Sequence, residues 1–281
     1  ADEAGAVEIT VSDILIPKQI QVESGKAEVG KDAVNDAAQN IEKGGEVSIP
    51  VADVSEDAKS AALPVESLTR IAEKEAVLTV EMPAAAVTMD TAALETVAEK
   101  AGDHASVTLE VAEIPREDLT ETQMAAIKKL DQNLVTAISA ELLVNGENIA
   151  TEADNGFGGG KVTVKIPVKL SSKDFQVVYI ADDGSTTVIE NATYADGVLT
   201  LELEHFSTYA IVQDSMLGDT DGNGKIQTND AKLILQHIVR MPVELNLDAA
   251  DVDGNGKIQT NDAKLILQYI VKIITKFPTQ A

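Results

Sequence analysis

The residues best suited to chemistry stand in the stretch "DTDGNGKIQTND", residues 219–230. Oxygen-bearing side chains occupy positions 1, 3, 5, 9 and 12 of this twelve-residue loop, and glycine holds position 6. A hard cation such as calcium takes about six to eight oxygens at short range. The glycine lets the backbone double back around it. The spacing therefore predicts a calcium loop. Asp219, Asp221 and Asn223 offer side-chain oxygens, Lys225 its backbone carbonyl, and Gln227 acts directly or through water. Asp230 closes the site from the first turn of the helix that follows. The competing reading, an Asp- and Gly-rich surface turn that binds nothing, is weakened by repetition. Asp251, Asp253, Asn255, Lys257, Gln259 and Asp262 repeat the set, so two calcium ions are expected.

The copying extends beyond the ligands. Gly222 to Gln236 recurs without change as Gly254 to Gln268. After each loop a helix is expected, with Ala231, Ile234 and Ile238 as its core stripe in the first copy. Leu233, Leu235 and Val239 are apolar as well, and recur as Leu265, Leu267 and Val271. A domain of about 60 residues cannot bury all of these against itself, so part of this surface should be exposed for a partner. A broad helix–helix core competes for Leu233 and Leu265.

A loop followed by one helix, twice, with no helix before the first loop, is not a paired EF-hand. It resembles a type I-like dockerin, the module that docks proteins onto cohesins of polysaccharide-degrading cellulosome scaffolds. The resemblance covers Leu217 to about Pro278, with the entry "AADVDGNGKI", the helices "DAKLILQHIV" and "DAKLILQYIV", and the ending "ITKFP". It implies an all-α domain with two EF-hand-like calcium loops and a cohesin module of a scaffoldin as partner. Position 12 is Asp where EF-hands usually carry Glu, so the helix must come closer. The partner-facing positions it implies are Thr228, Asn229, Leu235, Gln236 and Val239, with Thr260, Asn261, Leu267, Gln268 and Val271 in the second copy. Many type I dockerins carry Ser-Thr and a basic pair at the first four of these places, and Thr-Asn with Leu-Gln implies a more apolar specificity. The copied surface suggests docking in two orientations related by about 180°.

These loops must be carried by a larger body. "VEITVS" and "GEVSIPV" alternate as half-buried strands should, and "KDAVNDAAQNIEKGG" reads as an amphipathic helix stopped by Gly44 and Gly45. "LPVESLTRIAEK" and "MDTAALETVAEK" form a weak repeat, read as two packed strand–helix–strand units. "LTETQMAAIKKL" is a helix with a Thr120–Gln123 capping box. Beyond Gly146 the pattern is all-β, through "KVTVKIPVKL", "FQVVYIA", "TTVIEN", "GVLTLELE" and "STYAIVQ". "LPVESL", "FGGGKVTVKIPV" and "HFSTYAIV" resemble a β-rich module of secreted and surface proteins of Gram-positive bacteria, which implies a structural or spacer role.

The expected architecture is multidomain: a mixed α/β, β-rich and sandwich-like N-terminal module, then the all-α dockerin. Residues 1–61 form the first strand and helix segment of that module, 62–213 its β-rich part, and 217–279 the dockerin, with repeats at 219–240 and 251–272. The linker near "QDSMLGD" is short, so the two bodies should touch.

Composition narrows the function. The net charge is −25, and Met216 onward holds 8 acidic and 7 basic residues, so almost all of it lies on the N-terminal module. Such a charge argues against nucleic acid or an anionic membrane surface as a partner. There is no cysteine, hence no disulfide, thiol chemistry or cysteine zinc site. No apolar run is long enough to span a membrane. The start "ADEAGA" fits a chain from which a signal peptide has been removed, and a secreted, extracellular or cell-surface location is expected. Aromatics make up 3% of the chain, too few for the stacking subsites of most glycan hydrolases. Three scattered histidines form no catalytic cluster, although His237 should pack partly in the core as Tyr269 does. "GFGGGK" lacks the spacing of a phosphate loop and reads as a turn. The expectation is a non-catalytic cellulosome-type component, monomeric when free. The alternatives are a glycan-active enzyme or a domain that cleaves itself at "HFS", residues 205–207, by attack of the serine hydroxyl.

Overall fold

The computed structural model describes residues 13–15, 20–130, 132–170, 175–213, 216–222, 224–243 and 245–280. The strand expected at "VEITVS" lies outside them. The N-terminal module runs β1 (Asp13–Leu15), β2 (Ile20–Glu23), β3 (Lys26–Val29), α1 (Lys31–Asn40), β4 (Glu46–Ile49), β5 (Ser60–Pro64), α2 (Val65–Glu73), β6 (Val77–Glu81), β7 (Ala86–Met89), α3 (Thr91–Ala101) and β8 (Ser106–Ile114). It continues through α4 (Glu121–Lys129), β9 (Asn133–Val144), β10 (Glu147–Asn148), β11 (Val162–Pro167), β12 (Phe175–Ile180), β13 (Thr186–Val188), β14 (Thr193–Ala195), β15 (Val198–Leu203) and β16 (Thr208–Gln213).

These strands make two sheets. One has the order β1-β4-β6-β7-β11-β15-β14, and the other β13-β12-β16-β9-β8-β5-β3-β2, with β10 paired on β9. Helices α1, α2 and α3 each carry the chain from one sheet to the other. The weak repeat is thus a repeated crossover: Leu68 and Ile71 of α2, and Leu94 and Val97 of α3, bury the same apolar stripe in one core. That core takes Val47, Leu78, Val87 and Leu201 from the first sheet and Leu63, Leu109, Leu142 and Ile211 from the second.

The "EVSI" strand departs from the expected alternation. Val47, Ser48 and Ile49 are all buried, because β4 runs parallel between β1 and β6, and parallel strands are usually covered on both faces. Helix α1 ends at Asn40, before the two glycines, with Ile41 turned into the core. Strand β16 is buried on both sides for a different reason. Ile211 faces the main core, while Ala210 and Val212 face a second cluster under α4 with Ala126, Ile127, Val178 and Ala137. Helix α4 carries the expected capping box, Gln123 N–H donating to Thr120 Oγ1 at 3.1 Å and Thr120 N–H to Gln123 Oε1 at 2.9 Å.

The glycine-rich "GFGGGK" segment is a turn, and its glycines serve close packing. A Cβ on Gly160 would stand 2.2 Å from the backbone nitrogen of Ala93, so only glycine lets the turn lie on the start of α3. Lys100, on the same helix, clamps the neighbouring loop. Its ammonium donates to the carbonyls of Ile149 (2.9 Å), Asp154 (2.8 Å) and Gly156. Burial pushes its pKa down, with the Asp154 carboxylate opposing.

The C-terminal region is a second, helical body with its own core. It comprises α5 (Thr228–Ile238), α6 (Leu247–Ala250) and α7 (Thr260–Ile270). Ala231, Ile234, Ala250, Val252, Ala263, Ile266 and Phe277 form that core, and α5 packs on α7. A multidomain chain of two β-rich sheets and a helical C-terminal region is therefore what the sequence folds into.

Candidate functional site

Each twelve-residue loop closes on the first turn of its helix. Asp230 is fully buried at the third position of α5. Its Oδ2 accepts from Gln227 N–H at 2.6 Å, which caps the helix, and its Oδ1 accepts from Thr220 and Asp221 N–H at 2.8 and 3.2 Å. Asp262 repeats this, with Gln259 N–H at 2.8 Å and Asp253 N–H at 3.3 Å. Gly224 donates its N–H to Asp219 at 2.7 Å, and Gly256 does the same for Asp251 at 2.7 Å. Both glycines are left-handed, at φ 82° and 77°, the reversal a loop needs to wrap inward.

The carboxylates converge. One oxygen each from Asp219, Asp221 and Asp230 lie within 4.8 Å of one another, and Asp251, Asp253 and Asp262 form the same cluster. Burial, with repulsion from Asp253 and Asp251, pushes the Asp262 carboxyl up, while hydrogen bonds from Gln259 and Asp253 N–H oppose this. Three negative groups at such range repel unless a cation joins them. The donors are all oxygen, with no sulfur or imidazole, so the residues fit a hard divalent cation. Gln227 and Gln259 cap the two helices, Lys225 and Lys257 carry exposed side chains, and Asn255 donates its N–H to Asp251 and Asp253. The residue expected as a ligand at Asn223 lies outside the described residues.

Two polar residues do more than the sequence suggested. Asn229, expected only on the partner face, donates its amide to Asp221 at 2.8 Å, and Asn261 donates to Asp253 at 2.7 Å. An Asn one place before the closing Asp is the signal, and the duplication hid it by making every position look equally chosen. Thr220 is buried, its hydroxyl donating to the Asp230 carbonyl at 3.0 Å; the second loop has Val252 there.

The helix faces present apolar groups to solvent. Leu235 and Leu267 are 45% and 41% exposed, and Val239 and Val271 are 67% and 64% exposed. Thr228, Asn229, Thr260 and Asn261 are exposed, and Gln236 and Gln268 half-buried. Met241 and Ile273, not singled out from sequence, extend this surface. Each follows a residue in the left-handed region, Arg240 (φ 61°) and Lys272 (φ 60°). The turn is closed by Met241 N–H to Gln236 O and Ile273 N–H to Gln268 O, a Schellman ending without glycine. Leu265 packs on the domain core, whereas Leu233 lines a cleft. His237 is exposed, contrary to expectation. Tyr269 is half-buried because Phe277 stacks on it at 4.9 Å.

In the N-terminal module, "HFS" is a packing element. Phe206 is buried edge-on against Phe157 at 4.9 Å, and the Tyr209 hydroxyl donates to the His205 carbonyl at 2.7 Å. None of residues 205–207 has a left-handed backbone. Beside it lies a cleft of about 530 Å³ lined by Glu141, Glu152, Tyr179, Asp182, Asp183 and Ser207. Burial, then the neighbouring Glu110, pushes the Glu141 carboxyl up; the two are directly paired across β8 and β9. No helix among the described residues is long and apolar enough to cross a membrane.

A repeated oxygen-lined loop and helix, with an exposed apolar face, defines a small duplicated module whose carboxylate clusters are compatible with a cation. The family model of the dockerin type I domain matches residues 217–271. Among solved structures, this chain is similar to the ScaB dockerin of Acetivibrio cellulolyticus, solved with the third cohesin of ScaC and displaying a type I interaction. A form mutated in its N-terminal helix (IN to SI) matches at 41% identity over 23% of this chain and 93% of that one, TM-score 0.22. A form mutated in its C-terminal helix matches at 39% identity over 24% of this chain and 99% of that one, TM-score 0.24. None of the curated proteins compared matches. The C-terminal region of this chain belongs to the type I dockerin family.

Proposed function

We propose that this chain is a non-catalytic, extracellular component of a cellulosome-type assembly, held by calcium-dependent docking of residues 217–279 onto a cohesin module of a scaffoldin. The observation that carries the reading is the pairing of two carboxylate clusters with the exposed apolar faces of α5 and α7. Asp219, Asp221, Asn223, Lys225, Gln227 and Asp230 would hold one ion, and Asp251, Asp253, Asn255, Lys257, Gln259 and Asp262 the other. A bound calcium neutralises the clustered carboxylates, so its binding free energy favours the folded domain. Thr228, Asn229, Leu235, Gln236 and Val239, with Thr260, Asn261, Leu267, Gln268 and Val271, form the cohesin face. Because that face is present twice, the proposal includes two docking orientations for the dockerin freed from its neighbour.

Residues 1–213 are then the structural or surface-binding part, and the division at 213–217 agrees with the separate cores on either side. Chelation tests the central claim. Removing calcium should lower the helical circular dichroism of the C-terminal region and abolish capture by a panel of type I cohesins. Unchanged helicity and retained capture would sink it. The cleft beside Tyr179, with Glu141 and Glu152 in its wall, favours a second reading of the N-terminal module as a glycan-active enzyme. Release of reducing sugar that disappears in Glu152→Gln would support that reading.

A further inference from the structure

The two dockerin repeats are nearly identical in sequence but not in surroundings. Arg116, in a 3-10 turn after β8, donates through Nη2 to both oxygens of Asp248 on α6, at 2.9 and 3.2 Å. Around this ion pair the two bodies enclose a cleft of about 810 Å³. Glu113, Leu134 and Thr136 line it from the N-terminal side, and Asp221, Asn229 and Leu233 from the first repeat. The loop and helix start of repeat one therefore look onto the larger module.

The matching end of repeat two packs, among the described residues, on the short 3-10 turn Pro278–Gln280. Thr279 donates its hydroxyl to Val252 O at 3.3 Å, and a Cβ on Gly254 would stand 2.4 Å from the Thr279 methyl. A partner centred on Thr228 and Asn229 must approach beside a body of some two hundred residues, whereas one centred on Thr260 and Asn261 need not. We infer that the N-terminal module breaks the symmetry of the docking face, so that the cohesin is held chiefly in the orientation centred on repeat two.

This inference rests on the docking function proposed above, and the experiment separates the two. The probe is the tightest-binding member of a panel of purified type I cohesins that includes the third cohesin of ScaC, titrated calorimetrically against the full chain with calcium. Thr228→Arg with Leu235→Ala alters repeat one, and Thr260→Arg with Leu267→Ala alters repeat two. Both pairs spare the asparagines that bond the loop carboxylates.

The repeat-two pair should weaken binding at least about tenfold more than the repeat-one pair. Inserting a flexible Gly/Ser linker of about ten residues after Met216, together with Asp248→Arg, should bring the two losses within about twofold. Equal losses in the native chain, a larger loss from repeat one, or an asymmetry that survives the linker would each overturn the inference while leaving docking intact. If no cohesin binds, or all four substitutions together leave binding unchanged, docking itself fails. Calcium-induced helicity of each variant shows that it folds.

Discussion

Asn229 and Asn261 stand at exposed helix starts, yet each holds a loop carboxylate. At this scale the site is economical: Asp230 and Asp262 cap a helix, gather backbone N–H groups and complete a carboxylate cluster. Asp262→Asn should therefore lower the calcium stoichiometry from two to one by calorimetry and reduce helicity in calcium. An unchanged stoichiometry would remove Asp262 from the ligand set. Lys100 is the corresponding structural residue in the N-terminal module. Lys100→Met leaves three carbonyls without their charged donor and should cost about 2–3 kcal/mol in urea unfolding of that module. The ligand pattern was legible because twelve consecutive residues carry it. The Lys100 clamp was not, since its partners lie some fifty positions away and are backbone atoms without sequence identity.

Among the elements, the two dockerin helices end alike, with Arg240 and Lys272 in a conformation that glycine adopts without strain. Arg240→Gly and Lys272→Gly should each stabilise the calcium-loaded domain by about 0.5–1 kcal/mol in thermal unfolding. Strands β8 and β9 hold the opposite feature, Glu110 directly across from Glu141. The folded module raises the Glu141 pKa and so binds its proton more tightly than the unfolded chain does. Its penalty is present at neutral pH and is relieved as pH falls through the folded value. Glu141→Gln should then stabilise the module by roughly 0.5 kcal/mol at pH 7, solvent screening included. The difference should vanish near pH 4 and below; a difference independent of pH would point to packing alone. Local signals found most elements: the Thr120 capping box and the strands after Gly146 stand where expected. Strand β9 was missed because "NLVTAISAELLV" is as rich in Ala and Leu as a helix, and only its neighbours β8 and β16 make it a strand.

For the whole molecule, the separate cores mean that the two bodies should respond to calcium differently. With chelator, calorimetry should show the C-terminal transition lost or shifted to low temperature while the N-terminal transition stays in place. A joint shift of both would mean that the Arg116–Asp248 contact couples them strongly. Charge partition agrees with this division, because nearly all of the −25 lies outside the dockerin.

The crossovers by α1, α2 and α3 have a kinetic consequence. Neither sheet is a continuous stretch of chain: β4 sits in one and β5 in the other, and β15 and β16 are split likewise. No part of the N-terminal module can complete a sheet until distant segments arrive, so loop closure precedes most of the reward and refolding should be slow. The dockerin region is shorter, its two long helices packing on each other across some thirty residues, and it should close sooner once its ions are supplied. A full-length chain refolding from denaturant would thus own a finished coupling before it owned a finished cargo.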